Sequence, residues 1–267
     1  MNRLELRMVD KLRELKEKHA AVGVRAEFEA EGMRIEELLR LKEICMTADV
    51  SLTLKIGGCE SIRDMLEARV VGVNTLVAPI VESAYALQKY LQAVAKVFPA
   101  KEREGVEVLC NIETATACAN IGAMLGIPEI KMLKGIVIER VDLCFSKGLG
   151  EDQINAEEIN EIVVETAKKA KAKGLLCVLS GGMSAQTLPF ISQYAHKYVD
   201  RYETRKITFD ASKAGEHAAD KGIMKALAFE LLWLKNKLGY FNTVTRKDRE
   251  RMEMIEQRYW KEVDELI

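Results

Sequence analysis

The chain has no apolar run approaching the ~18–20 residues of a membrane span, so no segment reads as a transmembrane helix. Aromatic residues make up only 6% of it, too few for a platform on which single-stranded nucleic acid would stack. An excess of one charge is also missing. Lys and Arg number 40 against 41 Asp and Glu, leaving net charge -1 and no overall positive field for a nucleic-acid backbone or an anionic membrane. Neither is expected as a partner, and any anionic ligand must be held locally. Cys45, Cys59, Cys110, Cys118, Cys144 and Cys177 form no C-x-x-C pair and mostly sit in apolar segments, the pattern of reduced buried thiols. The first twenty residues alternate charge with leucine and lack the apolar core of a signal peptide, so a cytoplasmic location is expected. Histidine is confined to His19, His196 and His217, none at the end of a β-prone run, which argues against a His-centred triad.

What the chain does contain is an alternation. Short Val/Ile/Leu-rich runs at 22–29, 51–56, 71–78, 106–112, 134–141, 174–180 and 201–209 read as strands. Stretches with 3.6-residue periodicity at 34–47, 60–68, 82–97, 115–125, 156–172, 184–196 and 212–238 read as the helices between them. Repeated βα units of this length predict a TIM (β/α)8-type barrel, with seven strands evident where eight are required. An open doubly wound sheet is the competing architecture, but no glycine-rich phosphate fingerprint follows the first strand. One domain is expected over 1–267: an N-terminal helix in 1–20, the barrel in 21–240 and a C-terminal helix in 241–267. The last helix carries Met252, Ile255, Tyr259, Val263 and Leu266 along one face, suited to packing on its own barrel or to a homo-oligomer contact.

A barrel places its chemistry at the carboxyl-terminal strand ends, and polar residues are dense there. Glu113 and Asp142 each follow an apolar run. Two such carboxylates either converge on a divalent cation or serve as local ion pairs and helix caps. Lys55 and Arg140 are the matching cations, able to hold a carboxylate or stabilise an enolate oxygen, or else to form structural ion pairs. Lys55, flanked by Leu54 and Ile56, is also the candidate for an imine-forming lysine. Ser180, Gly181 and Gly182 open the segment after the sixth run, where free N–H groups could meet an anion or simply form a tight turn.

Taken in order, Leu54-Lys55-Ile56-Gly57, Val77-Ala78-Pro79-Ile80-Val81-Glu82, Ile112-Glu113-Thr114 and Gly135 through Leu143 resemble the HpcH/HpaI aldolase and citrate lyase β-subunit family across roughly residues 22 to 210. The resemblance implies a barrel that makes or breaks carbon–carbon bonds beside a carboxylate-bearing carbonyl, with Mg2+ or Mn2+ held by Glu113 and Asp142. It places Lys55 where the family has an arginine that stabilises the enolate, and it likens Phe28-Glu29-Ala30-Glu31 to the acidic strand end of the citrate lyase branch. Catalytic roles are thus expected for Lys55, Arg140 and, in proton transfer, Glu29. The Ser180-Gly181-Gly182 turn and Arg205 would hold a distal carboxylate or phosphate. The substrate expected is a small carboxylate or 2-oxo acid, free or as a CoA thioester. Three departures stand out: lysine for arginine at 55, Glu139-Arg140 in place of Gly-Pro before Asp142, and no counterpart of the family's histidine base. They leave two further readings, a catalytically silent barrel serving as a binding or scaffold subunit, and a barrel enzyme of the phosphoenolpyruvate type.

Overall fold

Strands that read as near-continuous Val/Ile/Leu runs bury both faces, which a parallel sheet allows only when helices cover it. The computed structural model describes residues 1–194, 197–215 and 219–264, with side chains to residue 258. Its strands β1 (Ala21–Glu27), β2 (Ser51–Lys55), β3 (Thr75–Ala78), β4 (Glu107–Ile112), β5 (Gly135–Glu139), β6 (Leu176–Ser180), β7 (Arg201–Glu203) and β8 (Ile207–Asp210) close into a barrel in chain order. Around them run helices α1 (Arg3–His19), α2 (Ile35–Ala48), α3 (Ile62–Val71), α4 (Ala84–Val97), α5 (Ala100–Arg103), α6 (Ala115–Met124), α7 (Arg140–Ser146), α8 (Glu157–Lys171), α9 (Leu188–Tyr194) and α10 (Ala219–Asp264). The barrel expected from the βα alternation is the fold observed. No helix among the described residues is long and apolar enough to cross a membrane.

The eighth strand lies inside the run expected as one strand at 201–209. That run folds back on itself: β8 pairs antiparallel with β7 and, on its other edge, antiparallel with β1. No Gly, Pro, Asn or Asp marks the reversal. Thr204 makes it instead, its N–H donating to the Ile207 carbonyl (2.9 Å) while its hydroxyl accepts from the Ile207 N–H (3.1 Å). A threonine hydroxyl closing its own turn is a weaker sequence signal than glycine or asparagine. The run at 71–78 is also shorter than expected, because α3 continues to Val71 and Gly72 caps it in the left-handed region before β3 starts. The stretch at 184–196 begins as a single 3-10 turn before the short α9, and His196, like His217, lies outside the described residues.

Inward-facing side chains stack in layers. At the floor Arg201 donates to both carboxylate oxygens of Glu107 (2.6 and 3.1 Å). Above it Val77, Leu109, Val137 and Val178 form an apolar plug. Two residues further along the parallel strands the inward positions turn polar: Arg25 and Glu27, Lys55, Asn111, Glu139, Ser180 and Glu203 are all buried. The polar rim is therefore built on an apolar layer that separates it from the Arg201–Glu107 pair below.

The helices expected at 212–238 and in 241–267 are one continuous α10 of 46 residues, about 70 Å long. Gly239 weakens it by about 1 kcal/mol, and no proline interrupts it. It runs antiparallel to α1: Gly222 abuts His19, Lys225 pairs with Glu14, and Asn2 donates to Asn236 (2.7 Å). Its first half packs Ile223, Ala226, Phe229 and Trp233 on the barrel. Beyond Phe241 every residue to 253 is exposed, so the helix leaves the body at the rim where the strands end. Tyr259, Val263 and Leu266 of the apolar face lie beyond the described side chains.

Candidate metal centre

Glu113, Glu139 and Asp142 each offer a carboxylate oxygen within 4.8 Å of the other two. Their placement follows from chain geometry. Glu113 sits just past β4, two residues beyond inward-facing Asn111. Glu139 ends β5 at the same inward parity as Val137 and caps α7, accepting from the Asp142 N–H (2.8 Å). That helical turn brings Asp142 back over the rim, where it remains exposed. Glu113 accepts from the Ile80 N–H (2.5 Å) and from Asn111 Nδ2 (2.7 Å). Ile80 presents its N–H from φ +46°, a conformation that strains a β-branched residue and is held by the loop after β3.

Burial raises the Glu113 carboxyl above the ordinary carboxylate range, against the pull of Asn111, Ile80 and Lys55. Burial likewise pushes Glu139 up to about 7, and the nearby Asp142 charge adds to it. Among the described residues, none of these three crowded carboxylates forms a salt bridge with a basic side chain. The Oδ1 of Asn111, on a fully buried side chain, has no hydrogen-bond partner on the protein among the described residues. Such a donor set fits a hard divalent cation that takes oxygen ligands and keeps open positions for water or substrate.

The cations are already engaged. Arg25, fully inside the barrel, pairs with Glu27 (2.8 Å) and Glu203 (3.6 Å) and donates to Ser180 Oγ (2.9 Å). Burial would lower its pKa, but Glu203 and Glu27 outweigh this and hold it above the ordinary value. Lys55 pairs with Glu29 (2.8 Å), and that bond overcomes a burial penalty to keep its ammonium above its usual pKa. Lys55 is therefore held protonated, the opposite of what an imine-forming lysine needs.

Sequence expectation and structure part at Arg140. Its guanidinium is wholly buried and, among the described residues, forms no salt bridge with the three carboxylates. It donates to the carbonyls of Gly181 (2.7 Å), Ile154 (3.3 Å) and Ser180 (3.5 Å) and to Asn155 Oδ1 (3.0 Å), with Thr187 Oγ1 at 3.4 Å. Burial lowers its pKa to about 10, against the opposing charge of Glu139. Arg140 thus braces the Ser180-Gly181-Gly182 turn and does not line the cleft. That turn does line it, as do Arg205 and Lys55, in a cavity of about 400 Å³. Gly181 adopts φ +85°, and a Cβ there would lie 2.0 Å from Glu139 Oε1, so the turn presses on a carboxylate rather than opening a long helix toward an anion. Arg205, more than half exposed, leans on Glu31 (3.6 Å) and Glu230 (3.8 Å). Glu29 is one-third exposed and reaches the site through Lys55. The residues that sequence reasoning underrated are Arg25, Glu27, Glu139 and Glu203. Their signals were slight: Arg25 and Glu27 share one parity on β1, Arg201 and Glu203 on β7, and Glu139 closes an otherwise apolar β5.

No protein-family model matches the chain, and no curated protein matches it in sequence. Solved structures match its fold. The citrate synthase SbnG superposes with TM-score 0.59 at 15% identity, covering 85% of this chain and 97% of that one. An HpcH/HpaI aldolase/citrate lyase family protein from Burkholderia cenocepacia gives 0.55 at 12% identity, covering 71% and 90%. An HpcH/HpaI aldolase from Desulfitobacterium hafniense gives 0.52 at 14%, covering 66% and 83%. At these identities the likeness is one of fold: the chain has the barrel of the HpcH/HpaI aldolase and citrate lyase-type proteins that its strand-end residues resemble.

Proposed function

We propose that this protein is a divalent-cation-dependent carbon–carbon lyase or aldolase acting on a small 2-oxo acid, with Mg2+ or Mn2+ held by Glu113, Glu139 and Asp142. The observation that carries this reading is the meeting of three carboxylates at one rim of the barrel beside the unpartnered amide oxygen of Asn111. A bound cation supplies Lewis acidity to the substrate carbonyl. Lys55, kept charged by Glu29, stabilises the negative charge that develops on the substrate oxygen as a bond at the neighbouring carbon breaks or forms. Glu29, hydrogen-bonded to Lys55 and reaching solvent, is assigned the proton transfer.

The electrostatics of the cleft favour the free acid over a CoA thioester. Glu27, Glu139, Asp142, Glu151, Glu203 and Glu230 line it against Arg25, Lys55 and Arg205, and each of the three cations already has a carboxylate partner. A polyphosphate or a phosphorylated substrate finds no uncommitted cation among the described lining residues. A small monoanion meets less repulsion.

Exchange of the methyl protons of pyruvate in D2O, followed by proton NMR, tests enolisation without knowledge of the second substrate. Exchange that requires Mn2+ and is lost in Glu113→Gln is expected. A protein that shows neither a Mn2+-induced thermal shift nor exchange is instead a binding subunit without turnover, a reading that draws on the full engagement of Lys55 and Arg25 by carboxylates.

A further inference from the structure

The first half of α10 carries a feature that the barrel does not use. Met224, Leu227, Leu231, Leu234 and Leu238 follow one another at alternating spacings of three and four residues, and all five are 45–66% exposed. The same spacing continues through Phe241, Thr245, Asp248, Met252 and Ile255. This is an a/d heptad register, and it lies on a flank of the helix separate from the Ile223, Ala226, Phe229 and Trp233 face that packs on the barrel. Five large apolar side chains in one exposed row exceed the scattered exposure of an ordinary surface. The helix then runs beyond Phe241 with exposed residues from 242 to 253, although an isolated helical arm of this length is marginal in water.

We propose that this flank of α10 is the interface for a second copy of the same chain, the two helices pairing as a parallel, in-register coiled coil. The inference rests on the helix alone and is independent of the proposed activity. Charge selects the occupant. In a parallel pair, each residue preceding an a position meets the residue after the following d position of the partner helix. Here that rule sets Glu230 against Lys235 and Arg251 against Glu256 of the second copy, two pairs of opposite sign, and no like-charged pair arises among the corresponding positions from 223 to 256. A partner must offer an apolar row of the same length and spacing with these charges, and a second copy does so by symmetry. Thr245 and Asp248 interrupt the apolar seam at one place only. In register, Thr245 faces Thr245 and Asp248 faces Asp248 of the second copy, a like-charged layer that weakens the seam at this one place, whereas a register shifted by a heptad would bury both against apolar side chains. Leu227 and Glu230 also line the cleft at the rim, so the second helix would wall its mouth.

Sedimentation equilibrium of the full chain at micromolar concentration is expected to give twice the chain mass. Leu231→Lys combined with Leu234→Lys is expected to give the monomer, with the thermal unfolding of the barrel retained because both side chains are about half exposed on the flank away from Phe229 and Trp233. Leu231→Cys is expected to form an intermolecular disulfide on mild oxidation that the wild-type chain, with its own six cysteines, does not form. Lys235→Glu should weaken the dimer by about tenfold, and adding Glu230→Lys should restore it. A monomeric wild type, or a dimer indifferent to the paired leucine substitutions, overturns the interface. A dimer that depends on the leucines but does not cross-link at Leu231→Cys and ignores the charge exchange overturns the parallel register.

Discussion

Glu139 is the residue on which the electrostatics of the rim turn. A carboxyl with an ordinary pKa of 4.5 is raised to about 7 by burial and by Asp142, so the folded protein holds its proton across a range in which the unfolded chain has released it. A group raised in this direction favours the fold fully below about pH 4.5, and that contribution is lost as pH rises through about 7. Glu139→Gln is therefore expected to stabilise the cation-free protein at pH 8 by on the order of 2–3 kcal/mol, the gain fading towards pH 4.5; urea unfolding at the two pH values measures it. The same substitution should weaken Mn2+ binding in calorimetry, showing the gain to be stability set aside for function. A variant no more stable than the wild type at pH 8 would show that the Asp142 N–H and the surrounding dipoles already satisfy the ionised carboxylate. The position was readable as a strand-end acid. Its convergence with Glu113 and Asp142 was not, because which carboxylates meet depends on the register of β4 against β5 and on the turn of α7 that carries Asp142 back over the rim.

At the scale of the element, Arg140 shows how a residue with the right chemistry can be committed elsewhere. It follows the last inward residue of β5, and its side chain leaves the barrel interior to satisfy three carbonyls of the loops after α7 and β6. Arg140→Met would strip those buried acceptors of their donor and is expected to cost about 3 kcal/mol or more in urea unfolding. Arg140→Lys is expected to recover only a minority of that loss, because one ammonium cannot reproduce the fork that spans these acceptors. Full rescue by lysine would mean that charge alone holds the turn. The β7–β8 hairpin belongs to the same scale. Its alternation of β-prone and charged residues, Arg201 through Phe209, was legible as strand. Its reversal at Thr204 was not, since a threonine-closed turn has no composition that sets it apart from a strand interior.

Across the whole molecule, a balanced net charge conceals an uneven distribution. The cleft gathers six lining acids against three committed cations, while the balancing basic residues lie on outer helices and on the arm of α10, where Arg246, Lys247, Arg249 and Arg251 cluster. This predicts discrimination by ligand charge. With Mn2+ present, a tricarboxylate such as citrate is expected to bind about tenfold more weakly than pyruvate or oxalate, and the gap should narrow as salt is raised from low to physiological strength. Calorimetry in two salt concentrations checks it, and tighter binding of the tricarboxylate would show that a lining cation leaves its carboxylate partner when ligand arrives.

The sequence by itself determined the barrel, through the alternation of apolar strands with 3.6-periodic helices. It also determined the strand-end location of Lys55, Glu113, Asp142 and the Ser180-Gly181-Gly182 turn, because strand direction and side-chain parity are local properties of the chain. It carried the heptad row of α10 as well, as a pattern without an address. Only the tertiary structure decided that the eighth strand runs antiparallel and that Arg140 braces a loop while Arg25 enters the barrel. It alone decided that Glu139 joins Glu113 and Asp142. Those outcomes depend on where strands distant in sequence come into register and on which buried polar atoms lack partners until the barrel closes, and no local pattern along a single chain encodes either.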